Sequence, residues 1–322
     1  MKRTFSVIAL VLAFSLTACS KEEVTKNYYN IKQKIERKDG RAIILPPPIA
    51  PQPPEFPKDA EIQAKIAENL AYINSKIVEK DGKTTYYFIE QKDKDGKNTY
   101  PLTDDKSKAD YYHVILGKTA DGYCAVQDFH ANGNKQMEPF IERDIQFCNR
   151  FDGSEKEKDS LIELYYDKEQ KIKSLTYWNV KDKKMFSFAY DKNGNKDSVY
   201  IYDLSDTPKL TEFYFNSEDE KTKSYITIFE FDEKNLIKFT GFFYHNSNLK
   251  NIDNIVQYDF SANEKKEIVW WLPQNTGNVA VYLDNDPEYE KKTQEFFEKR
   301  KKWIKEIKEE FNFRLSQNLN NQ

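Results

Sequence analysis

The sequence predicts an α+β protein, mainly β: an antiparallel meander of short hairpin repeats with an N-terminal helix and a long C-terminal helix. Three observations carry this. Strand-like runs alternate with charged turns from Ser160 to Trp271, and no helical stretch of about ten residues separates them, which argues against parallel βαβ units. Asp-Gly or Asn-Gly pairs recur at Asp81-Gly82, Asp95-Gly96, Asp121-Gly122, Asn132-Gly133 and Asn193-Gly194, and each can supply the positive φ of a tight hairpin turn. Helical periodicity is strong in two segments only, one at each end of the expected body.

The first element in chain order is a leader, residues 1–18. Lys2 and Arg3 precede the apolar run Phe5–Leu16, and small residues lead to Cys19. That run is too short to span a bilayer core of about 30 Å comfortably. The layout Leu16-Thr17-Ala18-Cys19 resembles the cleavage site of bacterial lipoproteins, with Leu at the third position before Cys and a small residue just before it. The resemblance implies cleavage before Cys19, with a thioether-linked diacylglycerol and an amide-linked acyl chain on that residue. The mature protein is then moored to a membrane at Cys19 without crossing it. A plain secretion signal with an incidental cysteine is the alternative. Ser20, not an aspartate, follows Cys19, which by the sorting habits of such lipoproteins implies the outer membrane, facing the periplasm.

Residues 19–58 read as a tether. Seven prolines between Pro46 and Pro57 fix φ and remove backbone donors, so this stretch is expected as extended polyproline II with a reach of about 40 Å. A docking ligand for an aromatic groove is the functional alternative.

An N-terminal α+β part is expected over 59–150. Ile62, Ile66, Leu70, Ile73 and Ile77 form one apolar stripe, giving a helix from Asp59 to near Lys80-Asp81-Gly82, followed by a strand over Thr84–Ile89. The meander occupies 151–285. Its nine candidate strands are Leu161–Asp167, Ile172–Val180, Met185–Asp191, Ser198–Asp203, Leu210–Asn216, Ser224–Asp232, Leu236–His245, Ile252–Phe260 and Ile268–Leu272. Residues 286–322 form the C-terminal amphipathic helix. Asp286 caps it, Pro287 opens it, and Tyr289, Phe296, Phe297, Trp303, Ile304, Ile307 and Phe311 make a stripe expected to lie on the sheet, with partner binding as the alternative.

In Val199-Tyr200-Ile201-Tyr202 one strand face is aliphatic and the other tyrosine. Neighbouring aromatics such as Trp270-Trp271 must point opposite ways. Either both faces are covered, or one presents a broad aromatic surface; Tyr200, Tyr202, Tyr214, Trp270 and Trp271 are the candidate partner-binding residues on that second reading.

Chemistry is sparse. The chain has 50 basic and 53 acidic residues, interspersed in sign, so nucleic acid is not an expected partner. The three histidines, His113, His130 and His245, are too far apart for a helical metal pair, and no metal or other cofactor is expected. Gly117-Lys118-Thr119 imitates the end of a phosphate loop, but Tyr112 stands where its first glycine belongs. With Cys19 acylated, Cys124 and Cys148 are left. Outside the cytoplasm they are candidates for a disulfide, the alternative being two separate buried thiols.

The segment Gly122–Gln136, with its aromatics, Asn132-Gly133 and Lys135, resembles the MORN-like repeats of bacterial antitoxin-type and envelope lipoproteins. The pattern returns at Tyr190-Asp191-Lys192-Asn193-Gly194-Asn195-Lys196, and at Tyr166–Lys171 without its Asn-Gly. The likeness spans residues 120–235 and implies a sheet used for binding, without catalytic residues of its own. The expected function is therefore recognition and not catalysis: a periplasmic immunity protein that neutralises a toxic effector by protein–protein binding, with a lipase of a contact-dependent secretion system as the favoured effector class. The alternative is a structural or glycan- or lipid-binding envelope lipoprotein, and a hydrolase with dispersed residues is a third reading.

Overall fold

The computed structural model describes residues 48–144, 148–149, 151, 158–179, 181–215, 224–232, 236–244, 252–259, 266–271, 278–282 and 287–319. The leader, Cys19 and the tether through residue 47 lie outside the described residues. The fold is mainly β, with antiparallel hairpin strands, an N-terminal helix and a C-terminal helix. The chain divides into two compact units. One holds Pro54–Asp197 and the chain from Glu310 onward, and the other holds Ser198–Glu309 together with the described residues before Pro54.

The first unit opens with helix α1 (Asp59–Lys76). The Glu61 carboxylate accepts the Lys58 N–H at 3.1 Å, and Asp59 and Glu61 place negative charge at the positive end of the helix. The helix stops one turn before the expected Lys80. Ile77–Lys80 forms β1 instead, paired with β6 (Tyr111–Thr119). The β-branched pair Ile77-Val78 suits a strand, and Gly117 makes the approach possible: a Cβ there would lie 2.5 Å from both the Glu79 carbonyl oxygen and Ile77 Cγ2.

β2 (Thr85–Phe88) pairs with the same strand farther along, so Asp81-Gly82 kinks an edge and does not turn a hairpin. The Asp81 carboxylate accepts the Thr84 and Lys83 N–H groups and the Thr84 hydroxyl. These bonds draw its pKa down to about 2.

β3 (Gln91–Lys92) and β4 (Asn98–Thr99) make a small hairpin. β5 (Leu102–Thr103) flanks β2, and the sheet continues from β6 through β7 (Cys124–His130) and β8 (Phe140–Glu142) to β9 (Lys158–Asp159). The β8 to β9 pairing, Ile141↔Asp159 and Glu142↔Lys158, carries this sheet past residue 150, where the sequence suggests a boundary. Asn69 ties the helix to both neighbours. Its amide donates to the Pro139 carbonyl at 2.8 Å and accepts the Leu161 N–H at 2.8 Å, at 0% exposure. Either backbone group left unmatched there would cost about 1–3 kcal/mol.

The meander begins in the same unit with β10 (Ile162–Tyr166), β11 (Ile172–Asn179) and β12 (Lys184–Tyr190). Leu164, Leu175 and Phe188 lie opposite one another in register and are buried. Phe56, placed by sequence in the tether, sits edge-on to Phe188 and Tyr190 at 5.1 and 5.2 Å, under the Lys196 ammonium. Its partners are non-local, so proline counting alone hides that the body starts there. At the far end of the chain Phe311 meets Trp178, and Arg143 pairs with Glu310 at 2.6 Å.

Among the described residues the second unit takes up β13 (Lys196–Asp203) from Ser198, then β14 (Lys209–Tyr214), β15 (Tyr225–Phe231), β16 (Leu236–Tyr244), β17 (Ile252–Asp259), β18 (Lys266–Trp271) and β19 (Asn278–Tyr282). Helix α2 (Pro287–Leu319) contributes its residues through Glu309. Every expected meander strand is present. β19 is the addition, a five-residue run too short for its alternation to stand out. One row in register, Val199, Phe213, Ile226, Phe242 and Ile255, has at most 1% exposure and forms a core on one face.

One turn device recurs in the first unit. The carboxylates of Asp93, Asp167 and Asp191 each accept the N–H groups two and four residues on, and the residue three on takes positive φ. At Gly96 and Gly194 that residue is glycine. At the third turn it is Gln170, with φ 66°. The copy lacking Asn-Gly thus keeps the same backbone. Lys183, between β11 and β12, also takes positive φ, 51°, and is exposed. Lys183→Gly is expected to stabilise the chain by about 0.5–1 kcal/mol, and Gly194→Ala, at φ 84°, to destabilise it by about 1 kcal/mol. Urea midpoints measure both, and a lower midpoint for Lys183→Gly would contradict this account of the turn.

Candidate functional site

Among the described residues two clusters of polar side chains are buried, one in each unit. In the first unit, His113 on β6 and Asp128 on β7 stand opposite each other in register. Their Nδ1 and Oδ1 atoms are 3.0 Å apart, at 2% and 4% exposure. This resembles the orienting half of an acid–base dyad, but the second ring nitrogen, Nε2, lies 2.9 Å from the Cys148 carbonyl. A general base needs a free lone pair, and both nitrogens of His113 are committed. The ring acts as a clamp on the segment that carries Cys148. That residue forms a disulfide with Cys124, which packs with Ile115, Val126, Met137 and Phe140. Of the two alternatives for these cysteines, the structure contains the bridge.

Lys158 on β9 is buried against the same core. Its ammonium reaches the Tyr165 hydroxyl at 3.3 Å and stands 4.9 Å over the Phe140 ring. Burial works against its charge, but the Tyr165 oxygen and the Asp128 and Glu163 carboxylates outweigh burial and hold it protonated. Glu138, equally buried, accepts from Lys135 at 3.1 Å and from the Tyr166 hydroxyl at 2.7 Å; burial and this carboxylate push that phenol upward. His130 bonds through Nε2 to the Tyr166 carbonyl at 3.1 Å while its Nδ1 has no hydrogen-bond partner among the described residues, and burial holds the ring below the usual histidine range. These contacts fasten β7, β9 and the segment around Glu138 to β10. Among the described residues no three His, Cys, Asp or Glu side chains converge as a metal site.

In the second unit the structure gathers the sequence-predicted tyrosines. Tyr200, Tyr202 and Tyr214 share one face of β13 and β14 with Glu212, and Thr227 and Tyr225 continue it on β15. Helix α2 lies over this face. Trp303 approaches Tyr200 and Tyr202 edge-on at 6.1 and 6.3 Å, and Phe296 and Phe297 meet Phe229 at 5.6 and 6.5 Å. Tyr202 is therefore 2% exposed, and its ring serves as core in this arrangement.

Beneath the helix, Arg300 meets Glu212 at 2.9 Å, with both side chains almost wholly buried, and Thr227 donates to the same carboxylate. The guanidinium also lies over Phe229, Phe296 and Trp303 at 5.0–5.7 Å. Burial, with Glu212 and Tyr200, pushes the Tyr225 hydroxyl well above the ordinary phenol range, so it stays a neutral donor. Tyr214 and Tyr225 stack at 5.1 Å and 10°.

Trp270 stands opposite Ile255 and Val279, and Trp271 opposite Asn254 and Asn278; their side chains, like Cys19, lie outside the described residues. Sequence reading missed the His113–Asp128 clamp and the Arg300–Glu212 pair. Their partners lie 15 and 88 residues apart, and no local pattern announces them. No family model matches the sequence, and no curated protein or solved structure matches it either.

Two outcomes are expected. Arg300→Ala strands a buried carboxylate and costs about 3–5 kcal/mol, whereas Arg300→Met combined with Glu212→Leu costs far less. Denaturant titration compares them, and equal losses would show that charge pairing does not set the cost. The second concerns His130. Because the folded state holds this ring below its unfolded value of about 6.5, its contribution is complete above that pH and is lost as pH falls from there toward the folded value. The stability gap between wild type and His130→Gln is therefore expected to change between about pH 7.5 and 5. A pH-independent gap would refute it.

Proposed function

We propose that this chain is a lipid-anchored envelope protein that works by binding a protein partner, specifically as an immunity protein that neutralises a toxic effector in the periplasm. The observation that carries the reading is the leader ending in Leu16-Thr17-Ala18-Cys19, which moors the chain where such effectors act. The Cys124–Cys148 disulfide supports an oxidising compartment. Recognition in place of turnover is supported by the His113–Asp128 pair, the most dyad-like feature described, whose ring nitrogens are both spent on holding backbone and carboxylate. A lipase of a contact-dependent secretion system is the favoured effector class.

A second reading is favoured by a different observation. Tyr87, Tyr112 and Phe129 form a half-buried ladder across β2, β6 and β7, with Tyr112 and Phe129 stacked at 4.9 Å and 7°. Flat aromatic platforms of this kind suit the apolar faces of sugars, as a glycan-binding envelope lipoprotein requires.

The test is a deletion strain in which the products of the adjacent genes are delivered to the periplasm as candidate effectors. The immunity reading expects the deletion strain to be killed, and rescue by the wild-type chain but not by Cys19→Ser. A deletion strain as resistant as its parent would overturn it.

A further inference from the structure

The sheet ends differ in one respect. In the first unit the outer strands β5 and β9 are two residues long, too short to template another chain. The outer edge of β10 is covered: Glu138 N–H donates to the Leu164 carbonyl at 3.1 Å, Tyr166 N–H donates to Gln136 at 2.9 Å, and Met137 bridges Tyr165. In the second unit β19 pairs with β18 over five positions, Asn278 to Tyr282, and has no strand on its other side among the described residues. Its sequence, Asn278-Val279-Ala280-Val281-Tyr282, has no charge, proline or glycine. Among the described residues it carries none of the charge, proline or bulge that commonly protects an edge.

We infer that β19 is a dimerisation edge, at which two copies of this chain pair β19 to β19, antiparallel, about a two-fold axis at Ala280. The occupant follows from the sequence. Rotation about Ala280 sets Val279 opposite Val281 of the second copy and Asn278 opposite Tyr282, so a second copy meets β-branched residues with β-branched residues. Two-fold pairing is isologous and closes at two chains, so it satisfies the edge without starting a filament. A foreign strand could bond to the same main chain, but it would face Val279 and Val281 with β-branched residues only if its own sequence supplied them, as a second copy does. The inference is independent of the immunity reading.

Cysteine scanning of the full-length chain in the cell envelope tests it. Opposite positions in an antiparallel pair have Cα atoms about 4.5–5.5 Å apart, within reach of a disulfide. Ala280→Cys is therefore expected to give an oxidant-induced band at twice the monomer mass, at least tenfold stronger than that from Asn278→Cys alone, whose two copies lie about 13 Å apart along the strands. Asn278→Cys co-expressed with Tyr282→Cys is expected to restore the band. Ala280→Cys changes little volume, and an intact Cys124–Cys148 bridge in the same sample certifies the fold. Absence of the band from such folded protein would overturn the inference, as would equal bands from Ala280→Cys and Asn278→Cys.

Discussion

A sheet with apolar side chains on both faces must have both faces covered, and in the second unit this constraint decides what each element is for. The row through Val199, Phe213, Ile226, Phe242 and Ile255 fills one face. The other carries tyrosines and phenylalanines, and α2 exists to cover them. Aromatic contact alone sets neither the register nor the direction of a helix on such a surface. Arg300 does, because a buried guanidinium tolerates few positions away from Glu212. Buried pairs of this kind contribute little net stability against a well-packed apolar replacement, and their effect is to disfavour other arrangements.

The first unit meets a different difficulty. Its sheet holds His113, Asp128, Glu138 and Lys158 in the interior, and each would be costly alone. They are tolerable because the strands bring donors opposite acceptors. The clamp from His113 to the Cys148 carbonyl also aligns the cysteine segment with β7, so the hydrogen bond and the disulfide hold the same stretch of chain in place.

What the sequence made legible was local. Nine strands with period-two alternation, the onset of α1 and five glycines at positive φ are all readable, because each depends on a few adjacent residues. Two misreadings and one irregular turn have one cause. Ile77 continues a helical stripe, yet β6 takes it as a strand. Phe56 follows prolines, yet Phe188 and Tyr190 hold it. Gln170 lacks the glycine of its sister turns, yet the Asp167 carboxylate imposes the same bend. In each, a partner distant in sequence or an unremarked side chain outweighs local preference. The polar clusters were illegible for the same reason. Tyr200 and Tyr202 were singled out correctly as one face, but only the position of Trp303 reveals that the face is covered.

The nearest-neighbour pairing of the meander has a kinetic consequence. In the second unit each strand from β14 to β18 bonds to the strands just before and after it, so the sheet contains almost no pairing that must wait for a distant segment. Chains dominated by such local closures collapse quickly for β proteins, since little loop entropy is spent before the first contacts form. A nascent polypeptide, made amino end first, can zip these hairpins as they emerge. Helix α2, which follows the strands in sequence, must find a surface already built.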